Sequence, residues 1–508
     1  MLVGMDPPAR RSLLAAVALA LAWGLGLALP ALWRGELLGH GWTDLYPSVW
    51  GLWGFARTWP ALPDHTDLLG FPGGMGFYYS SPLKGWIAGA LLPLLSLPAT
   101  WNLLTVLARV GTVLAAWAAG RAWGLGGPGA LVAASAFGCA PFFHGYAVEG
   151  IVEGTDGWTL ALLLWALGRR RVVLAAPLLT LTILSSWYLG AAGCLLTLMA
   201  SIRDRRALGS LVVGLALSAP ALAQFADAFS GGEPLPDEIR AAMGAPLTPR
   251  PPGALPGLQP FALSTWIGLS LGACALASAR RHPRLAALAL LPAVLSLGAG
   301  PWYDLPVLEA LRFPYRWHAA TLALLALLAG RVADRRGWLW LGPLIALEGV
   351  LFSPIEPILP GASAEIPDIY ADIDGPVLDL PGPVGLPPGQ INPSRPRSRF
   401  LLYFQTGHGQ PSPWVPDFNS VGVSAASPLV EPFRGWDRVE VAGNGLAPAD
   451  RLPPSTVADL GRAGVTHVVL HRAELGDRAS RLLGAALIAQ GADPIADDGA
   501  RWLFALPR

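Results

Sequence analysis

The chain has 508 residues, of which 53% are hydrophobic and only 14% are charged, and its mean hydropathy is +0.47. An ordinary soluble protein carries about 25% charged residues, so this composition excludes a typical soluble protein and indicates a membrane protein. The formal net charge of +1 gives no sign of nucleic-acid binding. The three cysteines, Cys139, Cys194 and Cys274, all lie in apolar segments, which argues against a disulfide framework or a zinc site.

Apolar segments suited to crossing about 30 Å of hydrocarbon recur from residue 12 to residue 352. They predict eleven membrane spans, at residues 12–33, 99–119, 128–145, 157–168, 172–186, 188–202, 207–224, 261–279, 284–299, 315–331 and 337–353. The first follows a basic start, as a signal peptide would, but its apolar core of about 21 residues favours an uncleaved span. The predicted fold class is an all-α polytopic membrane domain over residues 1–355, followed by a small α/β domain over residues 356–508.

The segment at 81–98, "SPLKGWIAGALLPLLSLP", is apolar but contains a lysine and several prolines. We interpret it as an interfacial or re-entrant helix that does not span the membrane. The arginine-rich loops then all fall on one side, which the positive-inside rule assigns to the cytoplasm. The sequence therefore predicts a multi-pass protein of the cytoplasmic (inner) membrane with a cytoplasmic N-terminus. Its outer loops are predicted at residues 34–98, 144–156, 225–260 and 300–314.

The first outer loop places a carboxylate, Asp44, just after the first span, in the aromatic stretch "GHGWTDLYPSVWGLWGF". An ionisable residue at this depth indicates a functional site, because nearby apolar surface raises its pKa or requires a partner. The aromatic residues suit a helix lying in the membrane interface over residues 46–59, and a plain aromatic belt is the alternative. Acidic residues also accumulate in the outer loops simply because basic residues are confined to the cytoplasmic side. Any single outer-loop carboxylate can therefore reflect this distribution of charge instead of a functional site.

Further ionisable residues come from other outer segments. The second outer loop, "HGYAVEGIVEGTDGW", carries His144, Glu149, Glu153 and Asp156. Candidate cations on the same side are Arg57, Arg312, Arg316 and the only lysine of the chain, Lys84. An arginine here could clamp an anionic lipid headgroup through paired hydrogen bonds, and contact with bulk phospholipid is the alternative.

The span pattern stops after residue 353, and shorter elements follow a proline-rich joint, "SPIEPILPG". The segments "GPVLDLPGP", "SRFLLYFQT" and "GVTHVVLHR" predict short buried strands, and "DRASRLLGAALIAQ" predicts an amphipathic helix. Because the eleventh span runs outward, this α/β domain is predicted to be extracytoplasmic. Within it, His408 and Trp414 suit either a structural turn or an acceptor-glycan contact.

Several enzyme signatures are missing from the sequence. It has no glycine-rich phosphate loop, no histidine pair with zinc spacing and no G-x-S-x-G nucleophile elbow. These absences argue against soluble nucleotide chemistry.

The order of the remaining features is similar to that of a known class. A first span ending before an outer-loop Asp, interfacial helices, the segment "FYYSSPLKGW" and a carboxylate just before a later span resemble the GT-C class of membrane glycosyltransferases over residues 1–350. Across the whole chain, "TDLLGFPGG", "RFPYRWHAATLALLALLAG" and "LGRAGVTHVVLHR" resemble bacterial YfhO-like multi-pass membrane proteins. Many members of the GT-C class have an acidic pair at the first site, whereas here Asp44 is followed by Leu45.

The resemblance implies transfer of a sugar from a polyprenyl-phosphate donor to an extracytoplasmic glycan, lipid or protein acceptor of the cell envelope. It implies Asp44 as general base, and Asp156 as a second carboxylate that positions the acceptor or helps to hold a divalent metal. No other cofactor is implied. Arg312 or Arg316 is expected to bind the carrier phosphate. The sugar is expected to lie against Trp42, Tyr46 and Trp50. The other residues expected to contact the substrate are Lys84, His144 and Glu153.

Two other functions stay open on the sequence alone. A transporter or flippase of a lipid-linked saccharide is supported by the intramembrane residues Arg109 and Glu348, although the internal symmetry typical of transporters is not detectable. A membrane scaffold without catalysis is the other alternative, because a fold does not determine a function.

Overall fold

Helices lie in all eleven segments for which the sequence predicts a span. The computed structural model describes residues 7–41, 44–229, 265–297, 314–353, 355–381, 400–414, 428–433 and 452–507. The helices in the predicted spans are Pro7–Gly24 with Leu29–Trp33, Leu97–Ala122, Gly127–Ala133 with Pro141–Val148, Gly157–Gly168, Val172–Ser185, Trp187–Ser201, Arg206–Phe229, Leu269–Ala279, Pro283–Leu295, His318–Arg336 and Leu341–Leu351.

Four described stretches are long and apolar enough to cross a membrane, namely Pro7–Trp33, Leu97–Ala122, Gly127–Val148 and Arg206–Asp227. Five further apolar helices have only 10–17 residues. A helix of 11 residues is about 16 Å long, roughly half of the hydrocarbon thickness. The mostly helical architecture and the candidate membrane spans therefore agree with the sequence, and the number of eleven spans stays a prediction.

Glycine allows close contact between two helices of this bundle. A Cβ atom at Gly129 would lie 2.5 Å from the carbonyl oxygen of Gly330 on the helix His318–Arg336, so the two backbones touch here. Beside this contact the Asp334 carboxylate accepts hydrogen bonds from the backbone N–H groups of Gly126 and Gly129, each at 2.6 Å. The carboxylate provides acceptors for backbone N–H groups at the start of the helix Gly127–Ala133. Its negative charge also interacts favourably with the positive end of the helix dipole.

The first outer loop forms two helices where they are predicted, Leu45–Ala56 and Pro82–Leu91. A hairpin between them pairs His65–Thr66 with Met75–Gly76 in antiparallel fashion. The two helices pack closely because Gly85 leaves room for the ring of Phe55. The helix Pro82–Leu91 has 10 residues, about 15 Å in length, so it is too short to span and agrees with the interfacial interpretation.

A four-stranded sheet lies in the C-terminal part of the chain. Its strands are, in spatial order, Val377–Leu380, His467–His471, Arg501–Ala505 and Asp493–Asp497. The first pair is parallel and the other two pairs are antiparallel. Short helices Thr456–Arg462 and Arg472–Leu475 flank the second strand, and the predicted amphipathic helix is present as Asp477–Ala489, with Leu483 and Leu487 buried.

One predicted strand is wrong. The segment "SRFLLYFQT" contributes a helix, Phe400–His408, and no strand. Its residues 401–405 are all buried, so the sequence shows no alternation of apolar and polar residues that would distinguish a strand from a helix. The helix packs on the first-loop helix Leu45–Ala56 on one side and on the 3₁₀ turn Asp368–Asp372 on the other, which buries the run on all sides.

The C-terminal part is joined to the first outer loop by backbone pairing. Leu37–Leu38, just after the first span, pairs antiparallel with Gly361–Ala362. The side chain of Trp50 also donates a hydrogen bond of 2.7 Å from Nε1 to Oε1 of Gln405, on the helix Phe400–His408. The first outer loop thus contacts the C-terminal part at these two places.

Candidate functional site

Asp44 lies at the N-terminal end of the first-loop helix, and its side chain is half-buried. Its backbone N–H donates to the carbonyl oxygen of Glu149, at 3.3 Å. Next to it, Gly150 has a φ of +65° and is packed so closely that a Cβ atom would lie 2.6 Å from the Cα atom of Leu45. The two outer loops predicted to converge therefore touch at Asp44, and the Glu149 carboxyl beside them is fully buried.

Lys84 and Asp156 form an ion pair between the interfacial helix Pro82–Leu91 and the second outer loop. Nζ of Lys84 lies 3.3 Å from Oδ2 of Asp156, and both side chains are about 95% buried or more. Lys84 also donates to the carbonyl oxygen of Val152, at 3.2 Å, and to the hydroxyl of Thr155. The ammonium group thus has three acceptors on one short segment, which fixes this segment against the helix.

The same contacts oppose the cost of burying two charges. Burial raises the pKa of Asp156, while Lys84 and the indole N–H of Trp158, which donates to Oδ1 at 3.1 Å, hold it down. Burial lowers the pKa of Lys84, and Asp156 opposes that shift. Each group therefore favours the charged form of the other against the cost of burial.

A second ion pair joins Arg316 to Glu153. It connects the 3₁₀ turn before the helix His318–Arg336 to the second outer loop. Three tyrosine rings surround the guanidinium, whose Cζ atom lies 3.9 Å from the ring centre of Tyr188, 5.5 Å from that of Tyr146 and 5.8 Å from that of Tyr315. Cation–π contact with desolvated rings stabilises a guanidinium in such a place.

The two pairs lie on either side of one turn, Val152–Gly154. Lys84 contacts the turn at Val152, and Arg316 contacts it at Glu153. We call Lys84, Glu153, Asp156 and Arg316 the outer charge cluster. Four of the predicted site residues are therefore brought together. Asp44, from the first outer loop, contacts the second outer loop at a different residue, Glu149.

Three further predicted residues have structural partners elsewhere. His144 hydrogen-bonds through Nδ1 to Arg109, at 2.8 Å, and through Nε2 to the backbone oxygen of Glu356, at 2.6 Å. Tyr46 and Trp50 face the helix Phe400–His408, where the ring of Tyr46 lies 5.4 Å from that of Tyr403 in a tilted arrangement and Trp50 is only 2% exposed. Trp42 and Arg312 lie outside the described residues.

The tyrosines around Arg316 were missed by sequence reasoning. Tyr315 is its neighbour in "FPYRW", but Tyr146 and Tyr188 come from two other helices, and nothing in their local sequence marks them. The only sequence feature that predicts a tyrosine beside Arg316 is direct adjacency in the chain, and it identifies only Tyr315.

The described residues offer no group of three or more His, Cys, Asp or Glu side chains arranged to hold a metal ion. The divalent metal implied by the resemblance thus stays a prediction. The intramembrane residues that favoured a transporter have local roles: Arg109 donates to His144 and to the carbonyl oxygen of Trp23, and Glu348 accepts from the first amides of the helix Leu269–Ala279.

Neither a protein-family model nor a curated protein matches the sequence. Several solved structures share its fold. Arabinofuranosyltransferase AftD from Mycobacteria aligns with a TM-score of 0.58 and 18% identity, over 98% of this chain and 42% of that protein. The archaeal oligosaccharyltransferase AglB from Archaeoglobus fulgidus, solved with an inhibitory peptide and a dolichol-phosphate, aligns with a TM-score of 0.53 and 12% identity, over 98% of this chain and 74% of that one.

At these identities the likeness concerns the fold, and this chain spans about two fifths of the length of AftD, at 42%. Both neighbours are glycosyltransferases of the GT-C class. No sequence match tests the finer resemblance to YfhO-like proteins. The GT-C-like fold predicted from the sequence pattern is confirmed, and this protein has the fold of GT-C membrane glycosyltransferases.

Proposed function

We propose that this protein transfers a sugar from a polyprenyl-phosphate donor to an extracytoplasmic glycan, lipid or protein acceptor, with Asp44 as the general base. The observation that carries the proposal is the contact of the two outer loops at Asp44 within a GT-C fold. Asp44 keeps a half-buried side chain, whereas the carboxylate of Asp156 is enclosed. An acceptor hydroxyl can therefore reach Asp44 more readily than Asp156.

In the proposed reaction, Asp44 takes the proton of the acceptor hydroxyl as its oxygen forms a bond to the anomeric carbon. The bond from that carbon to the phosphate oxygen breaks with inversion, and the electron pair leaves on polyprenyl phosphate. The dolichol-phosphate bound to AglB supports a lipid phosphate as part of the donor. Inversion follows from a single displacement with no covalent sugar–enzyme intermediate.

The leaving phosphate needs positive charge, and the outer charge cluster supplies two cations. We propose that Arg316, which stays paired with Glu153, stabilises this phosphate through the positive charge of its guanidinium. Lys84 is held by Asp156 on the other side of the turn. In this proposal Asp156 is a positioning residue that acts through Lys84.

The substitution Asp44→Asn tests the proposal. It should abolish sugar transfer in membranes of a deletion strain that carries the variant, with unchanged amounts of inserted protein, because the amide cannot accept the proton. The matched control is Asp67→Asn, which removes a carboxylate of the same loop whose side chain is 90% exposed. Transfer by Asp44→Asn at the level of Asp67→Asn, measured as glycan composition of the envelope, would refute Asp44 as the base.

A further inference from the structure

A cleft opens at the helix ends on the side of the bundle that the sequence predicts to face the cytoplasm. It is a shallow cleft with a cavity volume of only about 20 Å³, and its walls include Trp123, Leu167 and Ala200. Arg170, Arg203 and Asp204 line it as well. These residues lie at or just after the ends of three helices, Leu97–Ala122, Gly157–Gly168 and Trp187–Ser201. The cleft therefore combines an apolar wall with two guanidinium groups.

The two arginines of the cleft carry charge that the protein does not neutralise. Within the described residues, neither Arg170 nor Arg203 pairs with a carboxylate, and both side chains are exposed. The one acid in the lining, Asp204, accepts a hydrogen bond from the backbone N–H of Arg206, at 3.1 Å, and so caps the next helix. The cleft thus presents net positive charge to whatever occupies it.

The backbone at Arg170 is fixed in an unusual conformation. Its φ is +55°, the one positive φ among the described residues other than glycine. The turn is held by hydrogen bonds from the N–H of Arg170 to the carbonyl oxygen of Leu167, at 3.1 Å, and from the N–H of Arg171 to that of Ala166, at 2.9 Å. These two bonds form the C-cap of the helix Gly157–Gly168, which fixes the backbone of Arg170 beside the cleft.

Exposed apolar side chains lie close in sequence to the two arginines of the cleft. Val173 is 83% exposed and Ile202 is 79% exposed, each within three residues of one of the two arginines. Water is a poor solvent for such side chains and hydrocarbon is a good one. The cleft therefore lies where the hydrocarbon of a membrane meets its headgroups.

We propose that this cleft binds the phosphate of an anionic phospholipid headgroup, such as phosphatidylglycerol, through Arg170 and Arg203. The guanidinium groups bind the phosphate oxygens with paired hydrogen bonds, and the acyl chains lie along the exposed apolar side chains. The site is separate from the outer charge cluster, so it does not depend on the proposed sugar transfer.

The test uses the full-length protein, purified in detergent and titrated with phosphatidylglycerol, with bound lipid counted by native mass spectrometry. Each basic residue near a membrane surface contributes about a fivefold gain in affinity for anionic lipid, so Arg170→Gln/Arg203→Gln should weaken binding at this site about 25-fold. The matched control is Arg280→Gln/Arg281→Gln, which removes two exposed arginines from another turn. Because Arg280 and Arg281 do not line the cleft, the control should change binding at this site by less than about twofold.

Two further arms separate the lipid from other anions. Arg170→Lys/Arg203→Lys retains the charge and should lie between the wild type and the glutamine variant, because lysine lacks the planar fork. Inorganic phosphate should not displace the lipid. Equal losses in the glutamine variant and its control, equal retention of phosphatidylcholine, or displacement by inorganic phosphate would each overturn the proposal. Thermal unfolding of every variant shows whether it is folded.

Discussion

Lys84 and Asp156 face each other at 3.3 Å between Nζ and Oδ2, almost completely buried, and join the interfacial helix to the second outer loop. Lys84 is the only lysine of the chain. All other basic side chains are arginines or histidines, so the one compact ammonium group lies where it contacts a carboxylate, a hydroxyl and a carbonyl at once. The three N–H donors of an ammonium group can rotate toward such a set of acceptors. The N–H donors of a guanidinium are fixed in one plane and suit this set less well.

Removing one member of this pair should be costly. Lys84→Met leaves the Asp156 carboxylate buried without its cation, and we expect a loss of about 3–5 kcal/mol in the free energy of unfolding. The double variant Lys84→Met/Asp156→Asn removes both charges and should recover much of that loss. Thermal unfolding in detergent measures both. A similar change in the exposed pair, Arg34→Gln beside Glu36, should leave the midpoint unchanged, and an equal effect at both pairs would contradict this reasoning.

The same variant should respond to pH. Burial raises the pKa of Asp156 and Lys84 holds it down, so Lys84→Met raises it further. The folded variant then binds a proton that the unfolded chain releases at about pH 3.9, and its stability increases as the pH falls through the raised pKa. The destabilisation relative to the wild type should therefore be largest at neutral pH and shrink toward acid pH. Lys84→Met/Asp156→Asn should show no such trend, and a pH-independent loss in Lys84→Met would show that Asp156 stays charged.

Much of the helical layout was predictable because the apolar period extends over long segments. The helices at all eleven predicted spans, and the helices Leu45–Ala56 and Pro82–Leu91, follow from residues within one segment. The segment at 400–408 was not predictable in the same way. Its consecutive apolar residues allow either a strand or a helix, and the choice is made by contacts with a loop more than 300 residues earlier.

The sequence selected the residues that the structure brings together, but not their pairing, and their roles stay a prediction. Asp44, Lys84, Glu153, Asp156 and Arg316 were all selected from their place near helix ends. Which cation meets which carboxylate depends on the relative rotation of four segments, which no local pattern reports. The same limit applies to His144, whose position suggested the site but whose ring contacts Arg109 inside the bundle.

Gln405 provides a test of how the C-terminal part holds the first outer loop. Its amide accepts from Nε1 of Trp50, at 2.7 Å, and donates to the carbonyl oxygens of Leu68, at 2.7 Å, and Gln410, at 2.8 Å. Gln405→Leu removes these three buried hydrogen bonds, although the carbonyl oxygen of Leu68 keeps the N–H of Ser412 at 2.9 Å, so we expect a loss of about 3 kcal/mol and faster proteolysis of the first outer loop. The control Thr406→Val removes a bond within the same helix only and should cost less than about 1 kcal/mol. Equal protease sensitivity in the two variants would show that Gln405 does not hold the loop.

Gly150 carries the contact between the two outer loops, and a methyl group there should separate them. A Cβ atom would lie 2.6 Å from Cα of Leu45, and the φ of +65° disfavours any L side chain, so Gly150→Ala meets both a backbone clash and strain. The control is Gly35→Ala, where φ is +71° but no heavy atom lies within 4 Å. Strain alone should lower the free energy of unfolding by about 1 kcal/mol in Gly35→Ala. Gly150→Ala should lose clearly more stability and all sugar transfer, because Asp44 is displaced from the second outer loop. If Gly150→Ala were as stable and as active as Gly35→Ala, the close approach of the loops at Asp44 would not be required for function.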